Sequence, residues 1–144
     1  LEFGRTGEKD RPFIAFMFTI ENLGQVDSMA GNISSQRIIQ SVARFLQERM
    51  GSDSWSGRYG VSQILSFVPD STREQAERFL DDLAHEMKQL TIFQPLHYPS
   101  ICIHFSVWVG LAEGRPGMDF RTVVESVWSN ERKLAQLVCG KTQA

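Results

Sequence analysis

The run Phe13-Ile-Ala-Phe-Met-Phe-Thr-Ile20 constrains this chain more than any other segment. Aromatic and β-branched side chains follow one another there without polar alternation, which fits a strand covered on both faces rather than one with a wet side. Such a strand belongs in the middle of a sheet. The rest of the chain must supply neighbouring strands and helices to bury it. With 144 residues, 42% of them hydrophobic, the chain is long enough for one compact domain and too short for two.

The order of elements follows from periodicity. Glu21 to Ala30 reads as a short, weakly helical piece, broken by Gly31-Asn32. Ser34-Ser35 is expected to cap a helix in which Ile38, Ile39, Val42, Phe45, Leu46 and Met50 recur at three- and four-residue steps. Trp55 to Tyr59 and Ile64 to Val68 are strand-like runs separated by Gly60-Val61-Ser62-Gln63, a candidate hairpin that Pro69-Asp70 ends. Ser71-Thr-Arg-Glu74 has the form of a capping box before a helix carrying Ala76, Phe79, Leu80, Leu83, Met87 and Leu90. From Ile101 to Leu111 apolar residues alternate with Cys102, His104, Ser106, Trp108 and Gly110, marking a long strand. Gly114 to Gly117 turns the chain and Asp119 caps a last helix, expected to carry Phe120, Val123, Val124, Val127, Trp128, Leu134 and Val138 and to end near Gly140. This order implies an α+β sandwich with helices packed on a mainly antiparallel central sheet.

Charge and cysteine usage narrow the function classes. Fifteen Lys and Arg stand against seventeen Asp and Glu, net −2, with no basic block, so no nucleic-acid partner is expected. The apolar stretches fall far short of the roughly 18 to 20 residues of a membrane span, so a cytoplasmic domain without membrane contact is expected. Cys102 and Cys139 lack metal-ligand spacing, and no metal site is expected from them. His85, His97 and His104 lie on different elements and suggest no triad. Residues 1–11 read as a linker or a remnant ahead of the domain, residues 12–144.

Arg58-Tyr-Gly-Val-Ser-Gln-Ile64, followed by Leu-Ser-Phe-Val-Pro69, resembles the signature hairpin of GGDEF domains, the diguanylate cyclases, in which Arg-Tyr-Gly-Gly-(Asp/Glu)-Glu-Phe precedes a hydrophobic strand and a proline. The element order from Pro12 to about Gly140 is similar to that family. The resemblance implies a GGDEF, nucleotidyl cyclase-like sandwich, and it also implies what an active member requires. One GTP 3'-hydroxyl attacks the α-phosphate of another, with two Mg²⁺ ions held by carboxylates from the end of the first strand and from the hairpin turn. Here the first-strand position is Thr19 and the acidic turn positions are Ser62 and Gln63, with Gly60, Val61 and Ile64 completing the altered motif. Glu21 is the one carboxylate retained at that strand end. Val61 replaces the second glycine, and its Cβ disfavours positive φ and crowds an approaching phosphate.

The remaining positions implied by the resemblance are also altered. Base recognition falls on Asp27 and Gln36, which keep the capacity for weak GTP binding. The inhibitory Arg-x-x-Asp falls on Gly51 and Ser54, which cannot form a guanidinium clamp. A phosphate-binding Lys of the last helix falls on Leu137 or near Lys133 or Lys141. Trp108 stands where a small residue is usual, either filling volume against a helix or anchoring a partner. The expectation is therefore a catalytically inactive GGDEF domain with a regulatory or protein-interaction role in bacterial cyclic di-GMP signalling, without a cofactor. The alternative is a GTP-sensing domain that controls a linked phosphodiesterase (EAL) domain. The resemblance implies sensory and EAL neighbours in a longer protein, with a final edge strand beyond residue 144.

Overall fold

The computed structural model describes residues 12–21, 32–87, 104–115 and 117–138. In chain order these form β1 (Phe13–Glu21), α1 (Asn32–Arg49), β2 (Trp55–Gly60), β3 (Gln63–Pro69), α2 (Arg73–Met87), β4 (His104–Gly114), α3 (Phe120–Ser129) and β5 (Arg132–Val138). The strands make one antiparallel sheet in the order β2-β3-β1-β4-β5, an α+β arrangement with β1 in the middle, as its composition requires.

Alternation along β1 divides the core. Ile14, Phe16, Phe18 and Ile20 face α1 and α2, meeting Ile38, Ile39, Val42, Phe45 and Leu46 of the first helix and Ala76, Leu80, Leu83 and Met87 of the second. Val107, Val109 and Leu111 of β4 complete that side. Phe13, Ala15 and Met17 face the other way, toward Val123, Val124 and Val127 of α3. Gly110 is required on this second side, because a Cβ there would collide with the carbonyl of Val127. Helix α3 thus lies directly against the backbone of β4.

Local chemistry departs from the sequence pattern in several places. Helix α1 begins at Asn32, so Ser34 and Ser35 lie in its first turn rather than capping it. The capping box of α2 is Thr72 with Gln75, one residue later than Ser71 with Glu74. The Gln75 backbone N–H donates to Thr72 Oγ1 (3.1 Å) and the Thr72 N–H donates to Gln75 Oε1 (3.0 Å). Asp119 occupies the N-cap of α3 in an extended conformation without a side-chain cap bond. The expected last helix ends at Ser129, and Leu134 and Val138 lie on β5, paired with β4. Strand β5 is the edge strand of the sheet, beside β4. Asn130 makes the switch: its Oδ1 accepts from Leu111 N (2.8 Å), and its Nδ2 donates to the carbonyl oxygens of Leu111 (2.7 Å) and Ser126 (2.8 Å). The side-chain amide stands in for a peptide unit just before the ladder with β4 begins, an alternative that outweighs continued helical bonding. The expected helix over Glu21 to Ala30 and the residues Leu90, Ile101 and Ile103 lie outside the described residues. Among the described residues, no helix is long and apolar enough to cross a membrane.

Candidate functional site at the end of β1

Two ladders meet at Thr19. Its cross-strand partner on β3 is Gln63 and its partner on β4 is Trp108. One residue further, the Ile20 N–H donates to the carbonyl of Ser62 at 2.9 Å, tying the hairpin turn to the end of β1. The fold therefore brings Thr19 together with Ser62 and Gln63, more than forty positions later in the chain.

The hairpin is tighter than its sequence suggests. Gly60 and Gln63 belong to the strands, leaving Val61 and Ser62 as the turn, with a register shift between Arg58 and Gly60. Val61 is 82% exposed. Among the described residues, the non-glycine residue with positive φ is Asp70 (57°), so the turn is closed without the left-handed conformation that Val61 disfavours. Arg58 stabilises it instead, donating from Nη2 to the Val61 carbonyl (2.9 Å) and from Nε to the Gly60 carbonyl (3.3 Å). A Cβ at Gly60 would meet the side-chain oxygen of Gln63, which would have to turn aside. Ile64 points into the core on the α1 and α2 side.

Two carboxylates flank this tip. Trp108 Nε1 donates to Glu21 Oε1 at 3.2 Å, which gives Trp108 a polar role at the strand end beyond filling volume. Thr19 Oγ1 donates to Glu131 Oε2 at 3.2 Å across 112 positions of sequence. Glu131 lies between α3 and β5, and neither its charge nor its spacing singles it out in the sequence. Lys133 pairs with Trp108 across the β4–β5 ladder, and its Nζ donates to Gln136 Oε1 at 3.4 Å. Lys133 and Leu137, considered above as residues of a last helix, are on β5, and Lys141 lies outside the described residues.

The donors that the turn and Thr19 offer are a hydroxyl, a second hydroxyl with its backbone carbonyl, and an amide. With the Glu131 and Glu21 carboxylates accepting from Thr19 and Trp108, the turn and Thr19 themselves contribute no anionic oxygen, which does not fit a pair of Mg²⁺ ions held between strand end and turn. Among the described residues, no group of three or more His, Cys, Asp or Glu side chains converges. His85 is exposed on α2 and His104 belongs to β4, while His97 lies outside the described residues.

The other sequence candidates are elsewhere. Gln36 is exposed on α1, and Asp27 lies outside the described residues. Gly51 and Ser54 form the bend between α1 and β2, where Ser54 Oγ donates to the Gly51 carbonyl at 2.6 Å. A cavity of about 450 Å³ opens beside Gly51, between α1, β3 and α2, with Phe16 and Phe79 at its apolar wall and Arg78 and Asp82 also lining it. The nearby Arg49 guanidinium lies over the Phe45 ring and donates to Glu86 at 2.9 Å.

No protein-family model matches the chain, and no curated protein matches it by sequence. Solved structures do match. The GGDEF domain of DgcB from Caulobacter crescentus, in complex with c-di-GMP, aligns with a TM-score of 0.74 and 16% identity over 89% of this chain and 77% of that one. Diguanylate cyclase SiaD from Pseudomonas aeruginosa, in complex with its activator SiaC, aligns with a TM-score of 0.73 and 19% identity over 89% of this chain and 48% of that one. The active GGEEF domain of a diguanylate cyclase from Vibrio cholerae aligns with a TM-score of 0.68 and 12% identity over 99% and 90%. Five antiparallel strands with β1 between the hairpin and β4, and helices on both faces, give this chain the fold of GGDEF domains.

Proposed function

We propose that this chain is a GGDEF-fold domain without cyclase chemistry, acting as a regulatory or protein-interaction module in cyclic di-GMP signalling. The observation that carries the reading is the meeting of Thr19, Ser62 and Gln63 at the end of β1, three uncharged residues where phosphoryl transfer between two nucleotides needs anionic metal ligands. With no carboxylate at these three positions, such a transfer would lack several kcal/mol of electrostatic stabilisation, and each ~1.4 kcal/mol is tenfold in rate. A protein partner is supported by the solved complex of SiaD with its activator and by exposed apolar side chains on the edge strand and its turn, Trp55, Tyr59 and Val61. The role in cyclic di-GMP signalling rests on the named context of the structural neighbours.

The test is incubation of the purified chain with GTP and Mg²⁺ or Mn²⁺ at high protein concentration, with isothermal titration of GTP and of cyclic di-GMP alongside. The expected result is no linear or cyclic dinucleotide and no saturable heat. Micromolar GTP binding without product would replace an interaction module by a nucleotide sensor. Any sustained product formation would overturn both.

A further inference from the structure

We propose that Glu131 is a specificity-determining residue that closes the tip of β1 and the hairpin to phosphate-bearing ligands, an inference that rests on the same reading of that tip. A phosphate needs donors and positive charge. The Thr19 hydroxyl has one proton, and it is donated to Glu131 Oε2 at 3.2 Å. The Trp108 indole has one N–H, and it is donated to Glu21 Oε1 at 3.2 Å. Both donors at the Thr19–Trp108 pair are therefore directed to the protein's own carboxylates, which add negative charge where an anion would have to approach. The nearby cations Arg58 and Lys133 each have partners within the protein. Arg58 is wrapped on the turn carbonyls of Gly60 and Val61, and the Lys133 ammonium donates to Gln136.

Glu131 is also held in place. The preceding residue, Asn130, is fixed to both the N–H and the carbonyl of Leu111, so the backbone from which Glu131 projects is registered against β4. Its carboxylate reaches Thr19 from the single residue between the fixed Asn130 and the start of β5. The consequence is a tip whose side-chain polarity is set against polyphosphates while its backbone frame remains that of a hairpin beside β1.

The test is isothermal titration of inorganic triphosphate, and separately of GTP with Mg²⁺, into the wild-type chain and into Glu131→Gln, Glu131→Lys and Glu125→Lys. Glu125, exposed on α3, is a second position at which Glu→Lys makes the same change in net charge as Glu131→Lys. The expected result is no saturable binding to wild type, measurable triphosphate binding to Glu131→Gln, and binding about tenfold tighter still to Glu131→Lys, the order expected for one unit of charge near a partly exposed anion. Glu125→Lys is expected to behave as wild type. Thermal unfolding of each variant confirms that it is folded, and Glu131→Gln keeps the size and polarity of the side chain. Equal binding by wild type and the Glu131 variants overturns the proposal, as does an equal gain in Glu125→Lys or no gain in folded Glu131→Lys. Those failures concern charge at the tip alone, whereas failure of the functional reading is reported separately by product from GTP.

Discussion

The face of the sheet that carries α1 and α2 and the face that carries α3 share five strands but differ in scale. Among the described residues, nineteen buried apolar side chains form the first cluster and nine the second. Among those residues, two long helices cover the larger cluster, whereas one ten-residue helix covers the smaller. The difference teaches where this fold keeps stability and where it keeps chemistry. Thr19, Glu21 and Trp108 project on the α3 side, past the last of its buried β1 side chains, Met17. On the opposite side the same strand ends in Ile20, still buried.

Truncation on the two faces sharpens that contrast. Phe16→Ala removes a ring packed against Phe18 and Phe79 in the larger cluster and is expected to cost about 3–5 kcal/mol in denaturant unfolding. Val127→Ala, in the smaller cluster, is expected to cost about 2 kcal/mol, the transfer of two methyl-sized groups with a small cavity term. Equal losses would mean that the α3 side contributes as much per residue as the other and would break the comparison.

Asn130→Ala tests how the thin face is closed. It leaves the N–H and carbonyl of Leu111 without their amide partner, and a loss of about 1–3 kcal/mol is expected, with faster amide exchange at Leu111. Unchanged exchange there would show that water replaces the side chain at no cost. The smallest effect belongs to the well-covered face. Thr72→Ala removes half of the capping box of α2 and is expected to lower stability by about 1 kcal/mol, read as a shift in the denaturation midpoint at constant slope.

The well-covered face was also the legible one. Strand β1, the stripe of α1 and the stripe of α2 announce themselves because each is long, strongly apolar and periodic, so burial and pattern agree. The hairpin was legible through Arg58 to Pro69, although its turn is two residues rather than four. The α3–β5 region was not. Lys133, Leu134, Ala135, Gln136 and Leu137 are good helix formers, and local preference extends the helix through them. Pairing with the exposed edge of β4, started by Asn130, overrides that preference.

The same override hid half of the candidate site. Thr19, Ser62 and Gln63 could be placed from the hairpin motif, because the motif fixes which residues lie at the turn. Glu131 could not, since an acidic residue at a helix–strand junction carries no periodicity and its partner is Thr19, at the other end of the chain. Contacts of this kind are set by topology, and a local pattern does not report them.

The central place of β1 has a consequence for how the chain assembles. Its residues pair with β3 on one side and β4 on the other, both made later in the chain. During synthesis the most apolar strand is therefore the first of the five to emerge, and both of its edges wait for strands made later. Until β4 arrives it presents an aromatic strand with an open edge, the kind of segment that joins other chains as readily as its own. The central strand that anchors the finished sheet is thus the part of the nascent chain most in need of protection.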